Sequence, residues 1–208
     1  MTDRSMEGPG SLLTSDVPQT PTPDCFTQHV DNFFREYIFG FIFRDVEAAI
    51  EGRANYLAAL GLVAYTEFMG GLVLGNLGEK GKSRDRFYAF FNRLGPEYVK
   101  VGKRREVVKI YKNVRCGLAH AYFIDQESIV KMTVGDGHGG TCGIEVEPVT
   151  GTVWFIVERY WRDFKKAAHQ YERQLVKKKD PELLHNFRKA VGPQWYFKKL
   201  TEAEPADA

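Results

Sequence analysis

The chain has 208 residues, of which 43% are hydrophobic and 27% charged, so it is long and apolar enough to bury the core of one folded domain. Its 29 basic and 27 acidic residues leave a formal net charge of +2, which by itself favours neither a nucleic-acid coat nor a binder of acidic substrates. The three cysteines form no CxxC pair. This argues against a disulfide framework or a structural zinc site, and favours free thiols in a reducing cytoplasm.

Both ends of the chain are predicted to be disordered. Residues 1–24 contain four of the nine prolines among Ser, Thr, Asp and Gly, a composition that resists helix formation and buries little surface. They lack the apolar run of a signal peptide, so export is not predicted. Residues 201–208 (TEAEPADA) are small and acidic and are predicted to form a frayed tail. The span 25–200 is therefore predicted to be a single domain.

Apolar residues recur at three- and four-residue spacings through most of this domain, which is the pattern of amphipathic helices. Residues 26–51 carry the pattern as an aromatic stripe, and residues 153–179 carry it as a long helix with Thr152 as the predicted N-cap. Asp180 and Pro181 are predicted to begin a last short helix that ends at residue 191. The other predicted helices cover 53–77, 85–94 and 103–122.

The most apolar stretch, YLAALGLVAYTEFMGGLVLG over 56–75, is open to two interpretations. It is nearly long enough to cross a bilayer, and Gly71 and Gly75 have the GxxxG spacing of membrane helix pairs. Glu67 lies within it, however, and an acidic side chain at the centre of a bilayer costs about 2.5 to 3.5 kcal/mol on insertion scales. The sequence therefore favours a buried helix at the middle of a bundle, with no membrane as partner.

Between the fourth and fifth predicted helices the period of the pattern changes from about 3.6 to 2. Residues 128–134 and 142–149 alternate as strands, and the glycine-rich residues between them are predicted to form a turn. The predicted fold class is all-α: a helical bundle of five to six helices with one β-hairpin inserted at about 128–149. Asp136, His138 and Cys142 have metal-capable side chains, but such residues in a glycine-rich loop more often form only a turn. No metal and no cofactor is expected.

The fourth predicted helix, KRREVVKIYKNVRCGLAHAYF over 103–123, contains the candidate site. Its C-terminal half is small and uncharged apart from Arg115 and His120. A buried arginine is stable only when it is paired, and polar groups retained in apolar surroundings often mark functional sites. Glu67 is a candidate partner of Arg115 or a third member of the site. The N-terminal half of the helix is basic, and its candidates for contacts with RNA phosphates are Lys103, Arg104, Arg105, Lys109 and Lys112.

The arrangement Arg115-x4-His120 within NVRCGLAHAYF resembles the Arg-x4-6-His signature of the HEPN superfamily, the higher eukaryote and prokaryote nucleotide-binding proteins. In architecture the resemblance extends over about 25–190 and implies a small all-α protein that dimerises. Many HEPN proteins are metal-independent endoribonucleases of defence, toxin and RNA-processing systems. The resemblance therefore implies RNA cleavage through attack of the 2′-OH. It gives His120 the role of general acid or base and Arg115 that of phosphate binder, with Asn113, Tyr122 and Glu67 in support.

The spacing of the two motif residues predicts a composite site. Residues five apart on an ideal α-helix point about 140° from each other, so Arg115 and His120 of one straight helix cannot meet the same phosphate. Either Gly117 bends the helix, or a two-fold axis brings His120 towards the Arg115 of a second copy. A homodimer is the expected assembly. A partner protein or antitoxin could also bind, but no segment identifies one.

Two alternatives remain open. A second copy of the spacing, Arg162-x6-His169, lies on a charged helix face where solvated side chains are the simpler interpretation. Arg115 and His120 could instead form a structural polar pair that fixes a helix crossing or a dimer interface. The chain would then be a non-catalytic all-α dimeric binding or adaptor module.

Overall fold

A computed structural model of the chain describes residues 23–103, 110–117, 128–132 and 141–202. The predicted arm over 1–24 and the predicted tail over 201–208 lie outside these ranges except at their inner edges, where the first helix begins at Pro23 and the last ends at Glu202. The described residues are mostly helical and include one small sheet.

The helices and strands follow each other along the chain with short connections. The α-helices are α1 (Pro23–Phe33), α2 (Arg44–Glu51), α3 (Asn55–Leu74), α4 (Ser83–Phe91), α5 (Pro96–Gly102), α6 (Val157–Val176) and α7 (Pro181–Glu202). Two further segments, Phe34–Phe43 and Ile110–Cys116, are π-helical. The strands are β1 (Ser128–Lys131), β2 (Ile144–Val146) and β3 (Val153–Ile156).

The first predicted helix is confirmed as one helical run, in which α1, the Phe34–Phe43 segment and α2 follow each other directly. In the middle segment Phe34, Ile38 and Ile42 are buried, a spacing of four that fits the wider turn of a π-helix. The ring of Phe34 contacts that of Tyr171 on α6, with centroids 5.8 Å apart. The aromatic stripe of the sequence thus packs into the core.

Helix α3 lies at the centre of the domain, where it packs against α2, α4, α6, α7 and the Ile110–Cys116 segment. Eleven of its 20 residues are buried, and Glu67 is its one charged residue. By length and composition α3 could cross a membrane, but 61% of its most apolar window is buried inside the protein. The prediction of a buried central helix is confirmed, and this burial is compatible with a soluble protein.

Glycines let α3 and α4 approach each other closely. A Cβ built on Gly70 would lie 1.6 Å from the backbone oxygen of Arg86, and one built on Gly71 would lie 2.6 Å from the side chain of Leu77. At Gly75 the backbone is left-handed, with φ +72°, which ends α3 and places this residue against α7. The GxxxG spacing of Gly71 and Gly75 therefore serves contacts inside the domain.

The three strands form one sheet in the order β1-β3-β2. β1 pairs with β3 in parallel, and β2 pairs with β3 in antiparallel orientation. The predicted hairpin between 128–134 and 142–149 is therefore wrong, because its two strands lie on either side of β3 and do not pair with each other. The antiparallel pair joins β2 to β3 instead.

The error arises from Val153–Ile156, the run VWFI, which the sequence pattern assigned to the start of a helix. Three of its four residues are buried, and β-branched and aromatic side chains fit a pleated surface well. A short apolar run next to a helical pattern is ambiguous in its period. Helix α6 consequently begins at Val157, and Thr152 does not cap it, since the residue before the helix is Ile156.

Other helix ends agree better with the sequence. The backbone N–H of Leu183 donates to Oδ1 of Asp180 at 3.1 Å, so the predicted cap of the last helix is present, although α7 continues well beyond residue 191. Helix α5 was missed because the pair Gly95-Pro96 was taken only as a stop signal. Proline is equally suited to the first turn of a helix, and Pro96 begins α5.

Replacing Gly70 by alanine is expected to lower the free energy of unfolding by about 3 kcal/mol or more, because the added methyl group would overlap the backbone of Arg86. Gly78→Ala is the matched control, since a Cβ at Gly78 would meet no atom within 4 Å, and its effect is expected to stay below about 1 kcal/mol. Urea unfolding measures both variants. Equal stability of the two would contradict the close approach of α3 and α4.

Candidate functional site

The candidate site is built around Glu67, which lies in the middle of α3 with a side chain only 11% exposed. Each carboxylate oxygen accepts hydrogen bonds from a different arginine. Oε1 accepts from Nη2 of Arg86 at 3.1 Å, and Oε2 accepts from Nε and Nη2 of Arg115, both at 2.9 Å. The two cations offset the loss of hydration that a buried carboxylate suffers. The pairing of Glu67 with Arg115 that the sequence suggested is present in the structure.

Arg86 enters the site from α4 and is almost fully engaged there, with a side chain 10% exposed. Besides Glu67, its Nη2 contacts Oγ of Ser83 at 2.9 Å. Its Nη1 donates to the backbone oxygens of Asn76 and Glu79, at 3.2 and 2.9 Å. Arg86 therefore ties the connection between α3 and α4 to the buried carboxylate, and both terminal nitrogens are used in doing so.

Arg115 comes from the Ile110–Cys116 segment and is held less completely. Its side chain is 25% exposed, and its guanidinium carbon lies 5.8 Å from the centroid of the Tyr111 ring. Both of its bonds to Glu67 use Nε and Nη2. Among the described residues, Nη1 of Arg115 has no hydrogen-bond partner. Glu67 thus fixes the plane of this guanidinium group and leaves one terminal nitrogen for another acceptor.

Tyr111 packs beside the ion pairs, with its ring centroid 5.5 Å from that of Phe87. Burial raises the pKa of the Tyr111 hydroxyl, and the negative charge of Glu67 raises it further, while Arg115 and a hydrogen bond with Ser83 act in the opposite direction. The hydroxyl therefore stays protonated near neutral pH. It can donate or accept a hydrogen bond, but it does not serve as a base there.

The other predicted site residues are only partly described. Lys103 and Lys112 are exposed, which leaves both ammonium groups accessible to a ligand from solvent. Asn113 lies within the Ile110–Cys116 segment. The remaining predicted site residues lie outside the described ranges: Arg104, Arg105, Lys109, His120 and Tyr122.

The helix that carries Arg115 is not the ideal α-helix on which the composite site was predicted. Residues 110–116 are π-helical, with hydrogen bonds from residue i to residue i+5 and a wider turn. An angle of about 140° between residues five apart applies only to an α-helix. The geometric reason for supplying the histidine from a second copy is therefore weakened, and the homodimer stays a proposal.

The second Arg–His pair has the contacts of a solvated helix face. Nε of Arg162 donates to Oδ1 of Asp163 at 3.0 Å, and Nη2 donates to the backbone oxygen of Thr141 at 2.9 Å. The ring of His169 lies against that of Phe39, with centroids 4.4 Å apart. Both side chains are at least half exposed. They offer a matched control for the first pair.

Of the metal-capable turn, Cys142 is described, and Asp136 and His138 lie outside the described residues. The thiol of Cys142 donates to the backbone oxygen of Ile144 at 2.8 Å, and burial raises its pKa. Within the ranges that the structure describes, no group of three or more His, Cys, Asp or Glu residues could hold a metal ion.

Comparisons with known proteins leave the family of the chain open. No family model matches the chain, and no curated protein and no solved structure matches it. The resemblance of residues 113–123 to the HEPN signature is therefore a prediction, and a function has to be argued from the chemistry of the site.

Sequence reasoning missed Arg86. A carboxylate has about four acceptor positions on its two oxygens, so a second donor near a buried Glu67 was to be expected. The pair Gly70-Gly71, next to Glu67 on α3, is a further signal, because such small residues allow a close helix neighbour. The sequence alone does not distinguish Arg86 from Arg84, which lies on the same short helix and is exposed.

The described cluster contains two guanidinium groups and one carboxylate, and so carries a net positive charge. Arg115 could bind an anion such as a phosphate through its remaining nitrogen without any change at Arg86. The described members include no group suited to act as a base near neutral pH, because Tyr111 is protonated and both oxygens of Glu67 accept from arginines. A proton-transfer step at this site would need a group from outside the cluster.

Replacing Glu67 by alanine is expected to lower the free energy of unfolding by about 3 kcal/mol or more, because it leaves the buried Arg86 without its counter-charge. Glu97→Ala is the control. The ion pair of Glu97 with Lys100 is 2.7 Å long but exposed, so its loss should cost less than about 1 kcal/mol. Chemical denaturation compares the two, and a Glu67 variant as stable as the control would mean that the ion pairs do not anchor the fold.

Proposed function

We propose that the chain is a metal-independent endoribonuclease of HEPN type, in which Arg115 binds the scissile phosphate and His120 transfers protons. The observation that supports this proposal is the orientation of Arg115 by Glu67. A guanidinium group whose plane is already fixed loses little entropy when it binds an anion. Its partial exposure gives a ligand access to it.

The proposed reaction needs only groups of the chain and the RNA itself. His120 accepts the proton of the ribose 2′-OH, or donates one to the leaving 5′-oxygen, because imidazole titrates near neutral pH. The 2′-oxygen forms a bond to phosphorus while the bond from phosphorus to the 5′-oxygen breaks. Arg115 stabilises the added negative charge of the transition state. The products are a 2′,3′-cyclic phosphate, which can hydrolyse to a 3′-phosphate, and a 5′-OH end.

Residues on the same helix would supply the remaining contacts. Five cations would attract the RNA backbone without sequence preference, with Asn113 and Tyr122 as supporting groups. We also propose that the protein acts as a homodimer in the cytoplasm, in defence, toxin or RNA-processing chemistry. The proposed backbone contacts are made by Lys103, Arg104, Arg105, Lys109 and Lys112.

The proposal predicts RNA cleavage by the purified protein in the presence of EDTA. Arg115→Ala and His120→Ala are each expected to reduce cleavage about 100-fold or more, since a phosphate-stabilising group and a general acid or base each contribute at least that much. Arg115→Ala should stay folded, because Arg86 still pairs with Glu67. Gel analysis of the RNA fragments and mapping of their end groups provide the measurement.

Arg162→Ala and His169→Ala are the matched controls, because they repeat the same substitutions on the exposed second pair and should leave cleavage within about threefold of the wild type. Cleavage that disappears with EDTA would contradict the mechanism. So would cleavage that is unchanged by Arg115→Ala and His120→Ala, or that depends on the second pair instead.

A second function, that of a non-catalytic dimeric binding or adaptor module, is favoured by one observation. Arg115 directs two nitrogens at a single oxygen of Glu67, which is also the geometry of a purely structural ion pair. This alternative expects no cleavage by the wild type. It also expects Arg115→Ala to unfold or dissociate the protein, which circular dichroism and size-exclusion chromatography would detect.

A further inference from the structure

A groove of about 480 Å³ lies between α1 and the C-terminal half of α6, away from the residues of the candidate site. Its α6 side presents Lys166, His169, Arg173 and Lys177, all of them exposed. At 3.6 residues per turn these four positions fall within an arc of about 80°. They form a row about 16 Å long, which we call the α6 basic row.

The cations of α6 divide into two groups. In the N-terminal half, three of them are paired with acids: Arg159 with Glu145, Arg162 with Asp163, and Lys165 with Glu47. In the α6 basic row, Lys166, Arg173 and Lys177 make no salt bridge to any residue that the structure describes. The difference is one of pairing, because the two groups lie on the same helix and include the same residue types.

Two acidic residues also line the groove and have to be counted. Glu172 lies 3.6 Å from Nδ1 of His169, and Asp31 faces the row from α1. With three cations against two carboxylates, the groove has a positive balance even when His169 is neutral. The positive charge extends beyond the groove, since Lys178 and Lys179 follow the row directly and are exposed.

We infer that the α6 basic row binds the phosphate backbone of single-stranded RNA, as a second contact for the substrate of the proposed nuclease. The inference rests on the proposed function for the identity of the polyanion. A nucleic-acid strand carries a charge about every 3.4 Å along a helix axis, so a row of about 16 Å can follow several phosphates. Such a contact adds affinity and holds the strand without reading its sequence.

Fluorescence anisotropy of a labelled 2′-O-methyl RNA tests the inference, because this RNA lacks the 2′-OH and cannot be cleaved during the measurement. The groove variant replaces Lys166, Arg173 and Lys177 by glutamine. Its dissociation constant is expected to rise about tenfold or more, and the slope of log affinity against log salt should shrink by up to about 2. A control variant replaces Arg159, Arg162 and Lys165 by glutamine, and removes the same charge from the same helix.

The control variant is expected to bind within about threefold of the wild type with an unchanged salt slope. Equal losses in both variants, or no loss in the groove variant, would overturn the inference. Binding through these residues to vesicles of phosphatidylcholine and phosphatidylserine, without binding to RNA, would overturn it as well. Circular dichroism checks that both variants are folded.

Cleavage of unmodified RNA, measured in parallel, separates this inference from the proposed function. If the row binds RNA but the wild type cleaves none, the nuclease proposal fails and the α6 basic row stands. If the wild type cleaves RNA and the groove variant binds as well as the wild type, the row fails and the nuclease proposal stands. If the wild type neither binds nor cleaves RNA, both fail.

Discussion

Glu67 sets the constraint on which the rest of the structure depends, because it places a carboxylate in the middle of the most apolar helix of the chain. Burying that charge requires counter-charges from other elements, and the two that meet it come from different parts of the chain. Arg86 arrives from α4 and uses its other donors on the connection between α3 and α4. Arg115 arrives from the Ile110–Cys116 segment. One buried acid therefore holds three elements together, and fixes the orientation of the arginine that the proposed function needs.

Much of the helical framework could be predicted because its signals are local and repeated. The apolar run of α3 and the side-chain cap at Asp180 depend on neighbouring residues and were placed correctly. The strand β3 was missed because its run of four apolar residues continues directly into α6, where period 2 and period 3.6 cannot be separated. Without β3, the two other strands had only each other as partners. The π-helical turns were missed for a different reason, since no residue pattern specifies them.

The site was predictable in part. A single acid in an apolar helix and an arginine among small residues each require a partner, and this reasoning paired Glu67 with Arg115 correctly. It could not supply Arg86, whose role follows from the crossing of α3 and α4 at Gly70 and not from its own sequence surroundings. The distinction between paired and unpaired cations on α6 also had no sequence signal, because Glu145, Asp163 and Glu47 come from three different elements.

The most direct test of the account is a pair of double-mutant cycles on the free energy of unfolding, with Glu67→Gln combined with Arg86→Met in one and with Arg115→Met in the other. The account predicts a coupling energy of about 2 kcal/mol or more between Glu67 and Arg86, and about 1 kcal/mol or less between Glu67 and the part-exposed Arg115. The reverse order would contradict it. Arg115 would then be the principal structural partner of Glu67, and would not be available to bind a phosphate.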